Sequence, residues 1–228
     1  MIAFVHLLLR GRPDELADWL GAFNRQRAAS CSFAVLVGCG IYGFTLEFWR
    51  EPVQGIYTAA KFPLLIFLTC AGNALLNGMF AQLLGSRLSF RQTSLAILMS
   101  FATAAVVLGA LSPVTLFVVL NAPPLTSSNA IAGHSFTLLL HVFVIAVAGI
   151  IGNRRLLNLL ELMSGSRSTA VRVLTSWLAG NLFLGSQLAW ILRPFIGSPQ
   201  IPVQFLRADP LRGNFYEAVA VALQHLLS

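Results

Sequence analysis

The residues best suited to chemistry in this sequence are a few polar side chains inside long apolar runs. Asn73 and Asn77 lie four residues apart, so they share one face of a helix, and Asn181 and Gln187 interrupt a later apolar run. His141 lies in a run without any acidic residue. Polar groups inside a membrane are costly and often functional. These five residues are candidates for a polar path, although helix packing through amide hydrogen bonds is the simpler interpretation.

Metal and catalytic motifs are not recognisable in the sequence. His134 and His141 are seven residues apart, whereas a helical metal pair would be spaced by four and would need a carboxylate or thiolate nearby. The three cysteines lie in apolar runs without CxxC spacing, which predicts free, buried thiols. No HExxH, GxSxG or phosphate-loop motif occurs. We therefore predict no catalytic residue, no cofactor and no metal site.

The composition indicates that lipid is the main solvent of the chain. Only 10% of the 228 residues are charged, 57% are hydrophobic and the mean hydropathy is +0.77, whereas about a quarter of a soluble domain is charged. The net charge of +7 comes from fourteen arginines and one lysine, which lie mainly between apolar runs. Basic residues in that position set membrane topology rather than bind nucleic acid. The predicted partners are the bilayer and other membrane proteins or a second copy.

The apolar runs predict an all-α bundle with about five membrane spans, because a helix needs about 20 apolar residues to cross the hydrocarbon core. The predicted spans are 30–49, 62–85, 94–120, 134–152 and 173–192. The third is longer than one crossing requires and contains Pro113, which predicts one tilted, kinked span. A re-entrant tip is the alternative.

The distribution of basic residues predicts the orientation. With a cytoplasmic N-terminus, ten Arg lie on the cytoplasmic side and five Arg or Lys on the other, which fits the positive-inside rule. The chain then divides into a cytoplasmic amphipathic segment (1–29), the bundle (30–197) and a non-cytoplasmic extended segment with a C-terminal amphipathic helix (198–228). The N-terminal stripe consists of Leu16, Trp19, Leu20 and Phe23, and suits anchoring to lipid or packing on the bundle.

One charged pair follows from this topology. Glu47 ends the first predicted span and Arg193 ends the fifth, and both ends face the non-cytoplasmic side. An arginine is less expected there, so an acidic partner would help to hold it. We predict a Glu47–Arg193 ion pair, with Glu51 as the alternative acid, against the simpler possibility that Arg193 extends alone to the lipid headgroups.

Several stretches together resemble a known family. PVQGIYTAAKFPLL (52–65), ALSPVTLF and above all QLAWILRPFIGSP, followed by PVQFLR and NFYEAV, are similar to an uncharacterised family of bacterial multi-pass membrane proteins with a C-terminal LRPFIG-type segment. The resemblance covers about residues 38–221. It implies a setting in the bacterial inner membrane and assigns no activity and no catalytic residue.

Two classes of function fit these observations. A non-enzymatic scaffold or accessory subunit of a membrane complex predicts a packed, dry interior. A small transporter or channel component predicts that Asn73, Asn77, Asn181 and Gln187 converge on a cavity. An intramembrane enzyme would need His141 within hydrogen-bond reach of a serine or a cysteine thiol.

Overall fold

The regular secondary structure of the described residues is entirely helical, which confirms the predicted fold class. The structure, a computed structural model, describes residues 2–21, 24–48, 51–86, 88–123, 127, 130–195 and 202–217. Its longer helices are α1 (Ile2–Arg10), α2 (Pro13–Gly21), α3 (Arg25–Glu47), α4 (Pro52–Leu83), α5 (Phe90–Leu120), α6 (Ala130–Ser164) and α7 (Arg167–Ile191). No strand occurs among these residues.

Four helices are long and apolar enough to cross a membrane, which indicates a membrane protein. They are α3, α4, α5 and the stretch Ser135–Ser164 of α6. The fifth predicted span, 173–192, forms most of α7, but α7 is not one of the four. Asn181 and Gln187 contribute to its lower mean hydropathy. About five spans therefore agrees roughly with the structure.

The third predicted span is one unbroken helix. α5 begins with a capping box, in which the Ser89 side chain accepts from the backbone N–H of Gln92 and the Gln92 side chain accepts from that of Ser89. The helix continues through Pro113 to Leu120. This agrees with the single-span interpretation, since the re-entrant alternative would require a break near Pro113.

Close helix contacts hold the bundle together. α3 packs against both α4 and α5, α6 packs against α5 and α7, and α4 also contacts α7. Where α3 meets α5, a Cβ atom added to Gly38 would lie 2.2 Å from the backbone oxygen of Ala105. Gly109 touches Gly38 in the same crossing. Only residues without side chains allow the two backbones to approach so closely.

The predicted amphipathic stripe near the N-terminus packs on the bundle. Leu16 and Leu20 of α2 are buried and Trp19 is half-buried, while α2 contacts α5 and α6. Phe23 lies outside the described residues. A further short helix, α1, precedes α2 and contacts α5. The Arg155 side chain of α6 donates to the carbonyl oxygen of Leu9 in α1, which joins α1 to α6.

A short helical turn lies at the end of the described residues. The side-chain oxygen of Asn214 accepts from the backbone N–H of Glu217 at 2.8 Å, as an N-cap does. Residues 215–217 are helical. The rest of the predicted C-terminal amphipathic helix, residues 218–228, lies outside the described residues.

Candidate functional site

Three of the five predicted lining residues meet between α4 and α7. The amide nitrogen of Asn73 donates to the carbonyl oxygen of Gly180 at 2.8 Å and to the side-chain oxygen of Asn181 at 3.1 Å. Asn77 donates to the same Asn181 oxygen at 3.2 Å, and the indole of Trp177 donates to the Asn77 carbonyl at 2.8 Å. We call Asn73, Asn77 and Asn181 the amide cluster. Asn73 and Asn77 of α4 donate to acceptors on α7, so the cluster joins α4 to α7.

The other two predicted lining residues lie elsewhere. The side-chain oxygen of Gln187 accepts from the backbone N–H of Phe215 at 3.2 Å, near the end of α7. His141 packs between α6 and α3, where its Nδ1 is 2.9 Å from the hydroxyl of Tyr42. The predicted convergence of four amides is therefore corrected to three. Gln187 is not part of the cluster because its side chain contacts the backbone of Phe215 in the chain after α7.

A cavity of about 360 Å³ lies beside the amide cluster, among α4, α5, α6 and α7. Its wall consists mainly of Leu, Ile, Phe and Ala side chains, with the indole of Trp177 and the amide of Asn181 at one side. Two further polar groups of the wall, the Thr69 hydroxyl and the Asn153 amide, donate to backbone carbonyls of their own helices. The wall is thus chiefly apolar, and its polar groups are largely engaged within the protein.

The cavity opens on the surface of the bundle between α6 and α7. Two of its lining residues, Leu182 of α7 and Ile145 of α6, are 66% and 38% exposed. At the back of the cavity, Ala148 is fully buried. A Cβ atom added to Gly149, another lining residue, would meet nothing within 4 Å. In a membrane, such an opening faces hydrocarbon rather than water.

Arg193 is held differently from the prediction. Its guanidinium donates to the carbonyl oxygens of Trp190, Pro210 and Arg212, and stacks 3.8 Å from the centroid of the Trp190 ring. The Glu47–Arg193 ion pair is not among the ion pairs of the described residues. This prediction is corrected because backbone carbonyls of the chain after α7 satisfy the arginine.

The cation near Glu47 is Lys61, which sequence reasoning assigned to a connection between spans. Lys61 is fully buried in α4, and Glu47 at the end of α3 is 1% exposed; the Glu47 carboxylate acts electrostatically on the Lys61 ammonium. The Lys61 ammonium donates to the carbonyl oxygens of Pro194 and Phe205, the latter at 3.0 Å. It also lies over the rings of Phe195 and Phe205, at 5.3 and 5.5 Å from their centroids.

Lys61 belongs to a polar stripe that anchors the chain following α7. The α4 polar stripe consists of Gln54, Thr58 and Lys61, three buried residues at helical spacing. Gln54 accepts from the backbone N–H of Gln204 at 3.1 Å, and Thr58 donates to the carbonyl of Phe195 at 3.2 Å. The spacing of these residues was the sequence signal that could have identified the stripe.

No known protein family, curated protein or solved structure matches the chain. The resemblance to the LRPFIG-type family stays a prediction.

Proposed function

We propose that this protein is a non-enzymatic integral membrane protein that holds the hydrocarbon chain of a membrane lipid in the cavity among α4, α5, α6 and α7. The observation that carries the proposal is the cavity itself, which measures about 360 Å³, is chiefly apolar and opens past Leu182 and Ile145. Its size lies within the range of sites that take small molecules, about 300–1,000 Å³. An apolar chain entering from the bilayer would contact a wall that consists chiefly of apolar side chains.

The amide cluster favours this role over passage of a polar solute. Asn73 and Asn77 direct their donors at α7, and Asn181 receives both of them, so these groups are engaged in joining helices. Gln187 contacts Phe215 instead of the cavity. A polar path would need these amides to face a shared polar space. The transport interpretation therefore has less support than binding of an apolar chain.

We retain the scaffold or accessory-subunit role as the setting for this lipid binding, with other membrane proteins or a second copy as partners. The amide cluster and the α3–α5 glycine contact support a rigid framework around the cavity. We further propose a bacterial inner-membrane location, with the N-terminus cytoplasmic and the C-terminus outside. Support for the orientation comes from the ten-to-five distribution of basic residues.

The test is lipid retention by the purified full-length protein. After extraction in a mild detergent and extended washing, bound lipid is quantified by mass spectrometry. We expect about one lipid per chain in the wild type. The variant Gly149→Phe should lose it, because Gly149 lines the cavity and its added Cβ meets no atom within 4 Å, which leaves room for a ring beside the cavity. Ala110→Phe is the matched control, since Ala110 is exposed on α5 and does not line the cavity.

Two results would overturn the proposal. One is that the wild type retains no more lipid than an unrelated membrane protein washed in the same way. The other is that Gly149→Phe retains as much lipid as Ala110→Phe while both variants elute as folded protein. Retention of a small polar molecule in place of lipid would instead favour the transport function.

A further inference from the structure

A second cleft lies at the end of the bundle where α7 stops, and its lining is strongly basic. It measures about 460 Å³ and is lined by Arg193, Arg207 and Arg212, together with Gln204, Ala208 and Asp209. Three arginines and one carboxylate thus line the same cleft. We call it the arginine cleft. None of its residues lines the apolar cavity.

The positive charge of the arginine cleft exceeds that of its one carboxylate, Asp209, and none of its arginines forms an ion pair within the described part of the chain. The ion pairs among the described residues involve Arg12 and Arg167, which are far from the cleft in sequence. None of these pairs involves Arg193, Arg207 or Arg212. Burial of the guanidinium, and then repulsion from Arg207, lower the pKa of Arg193. Arg207 is therefore close enough to Arg193 to disfavour the charge of Arg193, which an anion between the two would relieve.

Two donors in the cleft also lack an acceptor. The Nε atoms of Arg193 and Arg207 are buried and have no hydrogen-bond partner among the described residues. A buried donor without an acceptor is costly, and each guanidinium can present several N–H groups to one oxyanion. Arginine is the side chain best matched to phosphate, because its planar donors suit two phosphate oxygens at once.

The surroundings of the cleft fit the headgroup region of a bilayer. Trp190 stacks on Arg193 and donates through its indole to the Arg212 carbonyl at 3.3 Å. Tryptophan is enriched where membrane helices meet water, at the depth of lipid phosphates. The end of α3 at Glu47 and the start of α4 at Pro52 lie at this same end of the bundle.

We propose that the arginine cleft binds a phosphate group, supplied either by the headgroup of an anionic lipid or by a soluble phosphate. Arg207 and Arg212 supply charge and donors to the anion. Arg193 contributes its unpartnered Nε while its other nitrogens hold the backbone. Asp209 limits the affinity by repelling the anion. The proposal is independent of the apolar cavity, since the two sites share no residue.

The experiment uses the purified, delipidated full-length protein and two probes. Phosphatidylglycerol binding is followed by native mass spectrometry with phosphatidylcholine as the comparison, and inorganic phosphate binding by calorimetry. Arg207→Gln should weaken binding about tenfold or more, because a charge-assisted donor is lost. The Nε atom of Arg207 has no hydrogen-bond partner among the described residues, so the change removes no bond of that atom. Arg154→Gln, at an exposed position of α6, is the matched control.

A change of opposite sign makes the test specific. Asp209→Asn removes the carboxylate from the cleft and should strengthen binding several-fold, whereas damage to the fold would weaken it. Gly149→Phe should leave phosphate binding unchanged, so failure of the cavity proposal would not be mistaken for failure here. Added salt should reduce binding, since the attraction is electrostatic.

The pattern across the two probes identifies the source of the phosphate. Preference for phosphatidylglycerol over phosphatidylcholine, with no response to inorganic phosphate, assigns the cleft to a lipid headgroup. Binding of inorganic phosphate assigns it to a soluble phosphate. Binding of neither probe overturns the proposal, and so does equal binding by the wild type and a folded Arg207→Gln variant.

Discussion

The fully buried ammonium of Lys61 gives the sharpest test of how the bundle holds its C-terminal residues. Replacing Lys61 by methionine keeps most of the volume and apolar contacts of the stem while it removes the charge. The change deletes the hydrogen bonds to the Pro194 and Phe205 carbonyls and the contacts with two phenyl rings. Glu47, itself 1% exposed, then has one cation fewer near it.

The expected cost follows from these contacts. A hydrogen bond from a charged donor contributes about 1.5–3 kcal/mol, and Lys61 makes two of them, to the carbonyl oxygens of Pro194 and Phe205. Both bonds belong to one ammonium group, so their contributions overlap rather than add. We expect Lys61→Met to lower the free energy of unfolding by about 3 kcal/mol, which is about a hundredfold in the unfolding equilibrium.

Unfolding in mixed micelles of mild detergent and dodecyl sulfate, followed by circular dichroism, measures this loss. Tryptic cleavage after Arg207 reports on the same contact locally, since the segment should detach from the α4 polar stripe. Glu47→Gln introduced into Lys61→Met should cost little more, because the ammonium on which the Glu47 carboxylate acts is already absent. Arg154→Met controls for loss of a basic residue. An unchanged unfolding midpoint together with unchanged cleavage at Arg207 would refute the reasoning.

Two further predictions concern the contacts between helices. Asn181→Leu removes the acceptor shared by Asn73 and Asn77, so it should destabilise the folded protein by about 1–3 kcal/mol in the same unfolding assay; equal stability would show that the amide cluster does not join α4 to α7. Gly38→Ala forces a methyl group against the backbone of α5 and should cost about 1–3 kcal/mol or more. Gly149→Ala is its control and should be neutral or stabilising, because its Cβ meets nothing within 4 Å. Similar effects of the two glycine variants would contradict the close α3–α5 contact.

The fold was predictable because it depends on the length and composition of the apolar runs. The apolar runs that form α3, α4, α5 and α6 can be satisfied only by lipid or by one another, and a helix is the backbone form that satisfies its own hydrogen bonds in lipid. The prediction of one span through Pro113 agrees with the structure, since α5 continues past the one hydrogen bond that a proline removes.

The α4 polar stripe was missed because the start of its helix was placed ten residues too late. The predicted span began at residue 62, where uninterrupted apolar sequence begins, whereas α4 begins at Pro52. Proline is favoured in the first turn of a helix, where its missing N–H costs nothing. With the correct start, Gln54, Thr58 and Lys61 share one face. A lysine counted as part of a connection is then a buried residue.

The amide cluster was only partly predictable for a different reason. The spacing of Asn73 and Asn77 places them on one face of α4, and that information is local. Whether Asn181 or Gln187 meets them depends on the position of α7 along its axis relative to α4. The Phe215 contact of Gln187 depends on how the chain folds back after α7, which no periodicity within α7 specifies.

The failure of the Glu47–Arg193 prediction explains why the arginine cleft stays positive. The argument assumed that a buried or interfacial cation requires an acid, but hydrogen-bonded carbonyl oxygens can also hold a cation while they carry no net charge. Arg193 is held in this way by Pro210 and Arg212, and Lys61 by Pro194 and Phe205. Carbonyl oxygens satisfy donors without cancelling charge, so the backbone contacts of Arg193 leave its positive charge at that end of the bundle. With Glu47 close to Lys61 and only Asp209 in the cleft, an external anion is the group that would balance Arg193, Arg207 and Arg212.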